Sequence, residues 1–417
     1  MQITVVGGGP AGLYFSILMK RQDPSHEITV YEKNAAGSTY GWGVTYWAGL
    51  LDKLRAGDPE SAEAIAAASV TWTDGVAIVR EERTVHRGDA GFGIGRRRML
   101  ALLADRAREL GVRVVYEHGI SGPDAPELAG SDLVVAADGV NSVLREAHAD
   151  RFGAEVAAGR NHYVWLGTTK VFDSFSFAFK ETEHGWVWCY AYGFSGEQST
   201  CVVECAPDTW RGLGLDRTNE ADSLRLLEKL FADLLDGEPL IGREQHGGGA
   251  PAQWLNFRTL TTRSWHHGNV VLMGDAAHTT HYSIGAGTTL ALEDALALAA
   301  ALGSGGAGST AAGPVDAGGL DTALTTYGKR RRAELVSAQS AARYSAQWYE
   351  NLPRYMNLEP AQMFALLGQR HSPLLPHVPP QLYYRLDRAA GRLESLRRLK
   401  RWLGPRVARA VHRSSRA

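Results

Sequence analysis

Apolar positions along the chain change period several times, and each change marks an element. Ile3-Thr-Val-Val6 is a short, largely β-branched run that stops at Gly7-Gly-Gly-Pro10-Ala11-Gly12, after which Leu13, Tyr14, Ile17 and Leu18 recur at helical spacing. Ile28-Thr-Val-Tyr31 follows and ends at Glu32, so residues 1–32 predict strand, glycine turn, helix and second strand. Met99, Leu102, Leu103, Arg106 and Leu110 mark an amphipathic helix, and residues 112–116 and 133–136 read as strands. Strands alternating with helices predict a parallel sheet.

From about Asn161 the texture changes. Tyr163-Val-Trp-Leu166, Phe175-Ser-Phe-Ala-Phe179, Trp186-Val-Trp-Cys-Tyr190 and Thr200-Cys-Val-Val-Glu204 are aromatic or β-branched runs with period-2 character, which predicts an antiparallel sheet with one covered face. A helix is expected over 221–235. A strand at 269–273, a glycine loop and a helix to about 302 then resume the first domain. The expected fold class is α/β, with a Rossmann-like domain over 1–160 and 266–302 and an inserted antiparallel-sheet substrate domain over 161–265. Residues 303–319, rich in Gly, Ala, Ser and Thr, predict a flexible surface loop. Residues 320–417 predict a helical C-terminal region that begins with a long helix to 351.

Composition narrows the class. The chain has 417 residues, enough for two or three packed domains, with 44 Lys and Arg against 45 Asp and Glu. That balance gives nucleic-acid binding no electrostatic footprint. The last 37 residues alone carry 11 Lys and Arg against 2 Asp and Glu, which reads as an amphipathic helix on the body with a solvated basic face. Three cysteines without a C-x-x-C pair indicate neither a disulfide framework nor a zinc cage, so no metal site is expected. No apolar run approaches bilayer length and Met1 leads directly into the first strand, so a cytoplasmic protein without membrane contact is expected.

Candidate chemistry begins at the first turn. Gly7-x-Gly9-x-x-Gly12 lies between a strand and a helix, and Glu32 follows 20 residues after Gly12, where a carboxylate can accept hydrogen bonds from an adenosine ribose. The first glycine allows the tight turn, the second lets a pyrophosphate approach backbone N–H groups, and the third permits close helix packing. The helix N-terminus stabilises negative charge. Two later segments follow strands in the same manner. They are Asp138-Gly139-Val-Asn-Ser-Val-Leu-Arg145 and Gly274-Asp275-Ala-Ala-His278, the latter leading into Gly285-Ala286-Gly287-Thr288-Thr289.

Together these motifs, spread over roughly residues 1–350, resemble the class A flavin-dependent aromatic monooxygenases of the p-hydroxybenzoate hydroxylase superfamily. A finer likeness is to the aryl-CoA branch that includes salicylyl-CoA 5-hydroxylase and the aminobenzoyl-CoA monooxygenase domain. It rests on Tyr14-Phe15, Gly41-Trp-Gly43, Val164-Trp-Leu-Gly-Thr-Thr-Lys170, Trp265-His-His-Gly268 and His278-Thr-Thr-His-Tyr-Ser-Ile-Gly285. The resemblance implies an FAD enzyme that takes electrons from NADPH or NADH and hydroxylates an electron-rich aromatic substrate with O2 through a C4a-hydroperoxyflavin. An aryl-CoA thioester is the expected substrate and an indole or tryptophan-derived metabolite the alternative. A flavin oxidase, a halogenase and a non-catalytic flavin sensor are the other classes. A halogenase would continue Trp186-Val-Trp188 with isoleucine and proline, whereas Cys189-Tyr190 stands here, so this reads as a strand with two tryptophans on one face.

Residue by residue, the resemblance implies that Gly7, Gly9, Pro10, Ala11 and Gly12 form the phosphate turn, with Glu32 and the adjacent Lys33 at the adenosine ribose. Arg96 is implied near the FAD ribose or pyrophosphate, Asp138 and Gly139 at the segment serving both FAD and the nicotinamide donor, and Gly274 and Asp275 at the ribityl or pyrophosphate region. Gly285, Ala286, Gly287, Thr288 and Thr289 match the loop along the isoalloxazine pyrimidine edge. Two departures stand out: Tyr282 replaces the usual proline and Thr289 a frequent asparagine. Trp165, Phe177, Phe179, Trp188 and Tyr190 are the candidate substrate-pocket wall, although strand alternation places only about half of such residues on any one face. His281, then Tyr282, are the candidate catalytic groups, because a base that removes a ring-hydroxyl or ring-amine proton pushes electron density onto the carbon under attack. His278 reads as a structural histidine beneath the loop.

Overall fold

The computed structural model describes residues 1–39, 41–242, 253–304 and 317–392. A six-stranded sheet runs in the order His266–His267, Val270–Leu272, Leu133–Ala136, Gln2–Val6, Glu27–Tyr31, Arg113–Val115. Its strands are parallel except for the edge pair His266–His267 with Val270–Leu272. Parallel strands are covered on both faces, and Leu133–Ala136 is accordingly buried at every position. Helices Pro10–Gln22, Arg96–Glu109 and Gly287–Ser304 contribute to that cover, and Leu13, Ile17, Leu103, Leu292 and Leu298 all join one core.

The second sheet has nine strands. Eight run in the order Leu240–Ile241, Ala154–Thr168, Ser199–Cys205, Gly185–Gly193, Phe175–Thr182, Val70–Val79, Glu82–Gly95, Gly43–Trp47, and Leu255–Thr262 also pairs with Ala154–Thr168. The sheet is therefore assembled from residues 43–95 as well as from the expected later segment. The early strands were hidden by Gly75, Gly88, Gly91 and Gly93 and by charged stretches such as Glu81-Glu-Arg83, which blur period-2 alternation.

Alternation gives the second sheet two distinct faces. Val187, Cys189, Ala191, Cys201, Val203 and Cys205 pack on one side with Leu224, Leu227 and Phe231. The expected helix over 221–235 is two pieces, Glu220–Leu230 and Ala232–Leu235, interrupted at Phe231. The three cysteines are buried and unbridged, and they act as small apolar side chains. The opposite face carries Phe177, Phe179, Trp186, Trp188, Tyr190 and Val202 and is covered by Trp348, Tyr349, Met363 and Leu367. Each such aromatic contributes about 1.5–3 kcal/mol through burial.

The long helix Ala317–Glu350 and helices Pro360–Leu367 and Pro380–Arg392 form the C-terminal region. In the last of these, Leu386 is 57% exposed and Tyr383 packs against the body, so the described start of the basic segment makes its contact through Tyr383 and not through Leu386. The rest of that segment, and most of the loop expected at 303–319, lie outside the described residues. Among the described residues no helix is long and apolar enough to cross a membrane, and no group of three or more His, Cys, Asp or Glu could hold a metal ion.

Candidate active site

The three glycine-containing motifs converge at the carboxyl ends of the parallel strands, where open α/β sheets take ligands. Gly7, at φ +111°, sits so close to the second motif that an added Cβ would fall 2.3 Å from Ala137 O and 2.9 Å from Asp138 Cα. An added Cβ on Gly274 would lie 3.3 Å from Ala11 Cβ, which brings the third motif onto the first. Arg145, 2% exposed, closes the triangle: its Nη1 donates to Ala276 O at 3.2 Å and its Nη2 to Val140 O at 2.6 Å.

This meeting point has the form of a dinucleotide cradle. A Cβ on Gly12 would lie 2.2 Å from Gly7 O, so helix and strand touch there, whereas a Cβ on Gly9 would meet nothing within 4 Å and the turn is open for a phosphate. Helix Pro10–Gln22 starts at Gly9 with no side-chain cap and no acidic residue in its first turn, leaving N–H groups for an anion. Glu32 is held at its strand end: Oε2 accepts from Gly8 N–H at 2.9 Å, and Oε1 accepts from Asn34 N–H at 2.8 Å and Asn34 Nδ2 at 2.7 Å. Asp138 Oδ2 accepts from Val143 N–H at 2.9 Å, while its Oδ1 is buried with no partner among the described residues. Burial raises the Asp138 carboxyl above its ordinary value, against the hydrogen bonds from Ser142 and Val143. An orphaned buried acceptor beside an open phosphate turn fits a hydroxyl-bearing cofactor.

Asp275 and Arg96 lie near enough for their charges to act on one another. Solvent touches Asp275, but the protein crowding it raises its carboxyl above the usual range, and His278 and Arg96 pull the other way. Burial lowers the Arg96 guanidinium, Asp275 counteracts that, and Nε donates to Thr39 Oγ1 at 3.0 Å. Lys33 is exposed; Gly139, Ala286, Thr288 and Thr289 are half-buried, and Gly287 is exposed at the start of its helix. His278 lies beneath the loop, its Nε2 2.8 Å from Asp294 Oδ2 and its ring stacked on Trp265 at 5.1 Å. Asp294 also accepts from Gly274 N–H at 3.0 Å and from Arg331 Nε at 2.8 Å, so a buried ion pair holds the third motif in place.

All five candidate wall residues share the aromatic face of the larger sheet. Register explains this, because Trp188 stands opposite Phe179 and Tyr190 opposite Phe177, and directly opposed residues lie on one side. Their surroundings differ. Trp188 stacks on Tyr349 at 5.8 Å and Phe179 meets Trp348 edge-on at 6.3 Å, which locks both under the C-terminal region. Tyr190 lies 5.9 Å from the Tyr282 ring, Phe177 lies 5.9 Å from the Arg370 guanidinium, and Trp165 is half-buried against Gly41.

The loop after His278 meets this face through Tyr282. Its ring lies 4.3 Å from His281 and 4.5 Å from Tyr163, and its hydroxyl donates to Glu204 Oε2 at 2.6 Å. Glu204 is 1% exposed and also accepts from Tyr190 Oη at 3.2 Å and, at Oε1, from Asn161 Nδ2 at 2.8 Å. Burial pushes its carboxyl up to about 7, against the hydrogen bonds from Tyr282, Asn161 and Tyr190. His281 goes the opposite way: burial and then the nearby Arg370 charge lower it to about 3, so its imidazole is neutral near physiological pH. His281 Nδ1 lies 3.3 Å from Ser283 N–H and 2.8 Å from Ser283 Oγ, so Ser283 anchors that side of the ring.

Glu204, Asn161, Arg145, Asp294 and Arg331 were not singled out from the sequence. Glu204 carried one usable signal, a charged residue in step with Val202 on a strand whose other face is Cys201, Val203 and Cys205.

The chain matches the FAD binding domain family over residues 81–333. It is 37% identical over 366 residues to salicyloyl-CoA 5-hydroxylase of Streptomyces sp., a match that covers 85% of this chain and 66% of that protein. It is 36% identical over 354 residues to 3-hydroxy-4-methyl-anthranilyl-[aryl-carrier protein] 5-monooxygenase of Streptosporangium sibiricum, covering 85% of this chain and 90% of the relative. A solved tetrameric form of 2-methyl-3-hydroxypyridine-5-carboxylic acid oxygenase shares the fold, with TM-score 0.67 at 19% identity, over 87% of this chain and 96% of that one. The cradle and the aromatic sheet thus define a flavoprotein hydroxylase architecture. The chain belongs to the FAD-dependent aromatic monooxygenases.

Proposed function

We propose that the protein uses NADPH or NADH and O2 to hydroxylate the ring of an aromatic acid carried as a thioester, on CoA or on a carrier protein. FAD, when bound, supplies acceptance of a hydride from the nicotinamide and activation of O2. The chain's own residues hold, orient and enclose. The turn Gly7 to Gly12 and the following helix start take the pyrophosphate, Glu32 the adenosine ribose, and Asp138, Asp275 and Arg96 the remaining polar groups. The segment from Gly285 to Thr289 offers backbone N–H groups where reduced flavin gathers negative charge. Trp165, Phe177 and Tyr190 flank the aromatic ring and exclude water, and the neutral His281 offers a ring hydrogen bond to a polar group of the substrate.

One observation carries this reading. The Tyr282–Glu204 hydrogen bond sets the loop that matches the flavin-edge segment against an aromatic wall, which suits a planar substrate lying beside the cofactor. The thioester refinement comes from the two relatives, both named for acyl groups on a thiol carrier. Lys170 is paired with Asp236, which lessens what its charge offers to CoA phosphates.

Purified protein should be yellow. Salicyloyl-CoA or 2-aminobenzoyl-CoA should stimulate NAD(P)H oxidation and give a product heavier by one oxygen. Stimulation by indoles with none by thioesters would remove the thioester assignment. Asp275→Ala should weaken FAD retention at least tenfold, measured by flavin fluorescence after dialysis, and full occupancy would exclude its assigned place.

A further inference from the structure

We propose that the Glu204 carboxylate, reached through the Tyr282 hydroxyl, takes the ring-hydroxyl or ring-amine proton of the bound substrate; this rests on the aromatic hydroxylation proposed above. The role commonly suits a histidine, and His281 stands beside the same loop. Its environment argues against it, because an imidazole lowered to about 3 is too weak an acceptor at neutral pH.

Glu204 is differently placed. It lies on the aromatic face opposite Trp188 and Tyr163, and among the described residues no Lys, Arg or His forms an ion pair with it. Its hydrogen-bonding neighbours Tyr282, Tyr190 and Asn161, and the adjacent Trp188, are all neutral. A buried carboxylate solvated only by neutral dipoles changes protonation readily, whereas one locked to a guanidinium does not. Burial raises the neighbouring Tyr163, Tyr190, Tyr282 and Tyr349 hydroxyls and the Cys205 thiol, so they stay protonated; the charged groups facing this set are Arg258, near Tyr163, and Arg370, near Tyr349 and His281.

Tyr282 supplies the path. It is half-buried while Glu204 is sealed, and its own proton points to Glu204 Oε2, which leaves its oxygen lone pairs for a donor on the other side. In the transfer the substrate O–H or N–H bond breaks and its electron pair stays on the substrate heteroatom. The proton goes to Tyr282 Oη as the Tyr282 proton moves to Glu204, ending as a neutral acid and an unchanged tyrosine. After ring oxidation the proton returns by the same hydroxyl to the product.

The test uses flavin-loaded protein with Glu204→Gln and Tyr282→Phe. Infrared titration of the wild type without substrate should show a protonated-carboxyl band that vanishes around pH 7 and is missing in Glu204→Gln. With salicyloyl-CoA, wild-type kcat should rise with pH along that same limb. Both variants should lose about 10²–10⁴-fold in kcat with little change in KM, and Glu204→Gln should lose the limb. A Glu204 band that does not titrate between pH 5 and 9, or an intact limb in Glu204→Gln, overturns the assignment. If Glu204→Gln fails to fold, Tyr282→Phe decides, since wild-type turnover there leaves the path without a function. If thioesters give no stimulated oxidation and a hydroxyindole does, the thioester reading falls and the limb is measured on the indole, so the two failures separate.

Discussion

Two buried carboxylates, one beneath each half of the site, behave in opposite ways. Asp294 lies under the nucleotide cradle and Glu204 under the aromatic wall, and they are 0% and 1% exposed. Burial pushes both pKa values up. For Asp294 the His278 and Arg331 interactions outweigh that push and the net shift is downward, while for Glu204 the tyrosines and Asn161 only moderate it. Burial alone therefore does not fix the charge state. A cationic partner makes a carboxylate a permanent strut, and neutral partners leave it free to titrate.

The contrast breaks most visibly at the strut. Asp294→Ala leaves the Arg331 guanidinium, 4% exposed, without its innermost counter-charge and removes the acceptor of Gly274 N–H. A loss of about 3–5 kcal/mol is expected in urea unfolding, together with lower FAD retention, and a change under 1 kcal/mol would show that the pair does not brace the cradle.

Glu204→Gln sharpens the other side. The folded pKa of about 7 lies above the unfolded value near 4.3, so the native state binds more protons between them. Stability on this account is greatest below the unfolded value and falls as pH rises through 7, by about 4 kcal/mol at most. Glu204→Gln should remove that slope, gaining on the wild type at pH 8 and losing the advantage near pH 5; parallel pH profiles of Tm would refute it. The smallest effect on folding belongs to Gly9→Ala. A methyl group there meets nothing in the protein, so stability should hold within about 0.5 kcal/mol while FAD binding weakens at least tenfold in titration.

The cradle was legible in the sequence because its chemistry is local. A tight turn, an open approach and a helix start impose residue types at fixed offsets: Gly7 and Gly12 stand where the backbone packing needs glycine, and Gly9 and Glu32 at the open turn and the strand end. The parallel strands were legible for a similar reason, since continuous runs such as Leu133-Val-Val-Ala136 are buried on both sides. Glu204 was not, because its environment is assembled from Asn161, Tyr190 and Tyr282, which lie on different strands and a distant loop. No spacing rule predicts such a meeting. The substitution of Tyr282 for proline, visible as an anomaly, gains a physical meaning only once its hydroxyl is seen to reach across to the sheet.

The larger sheet also imposes an order on synthesis. Val70–Val79 lies parallel to Phe175–Thr182, with Gly75 beside Phe175 and Val79 beside Phe179. A nascent chain that has released only the hairpin ending at Gly95 carries Val76, Ala77 and Val79 with one flank of the ladder unmet, the condition under which strands recruit other molecules. Fragments that stop between these two segments should precipitate or occupy chaperones, and a soluble shortened version has to extend at least through Ser199–Cys205, which supplies Glu204 and completes the centre of the sheet.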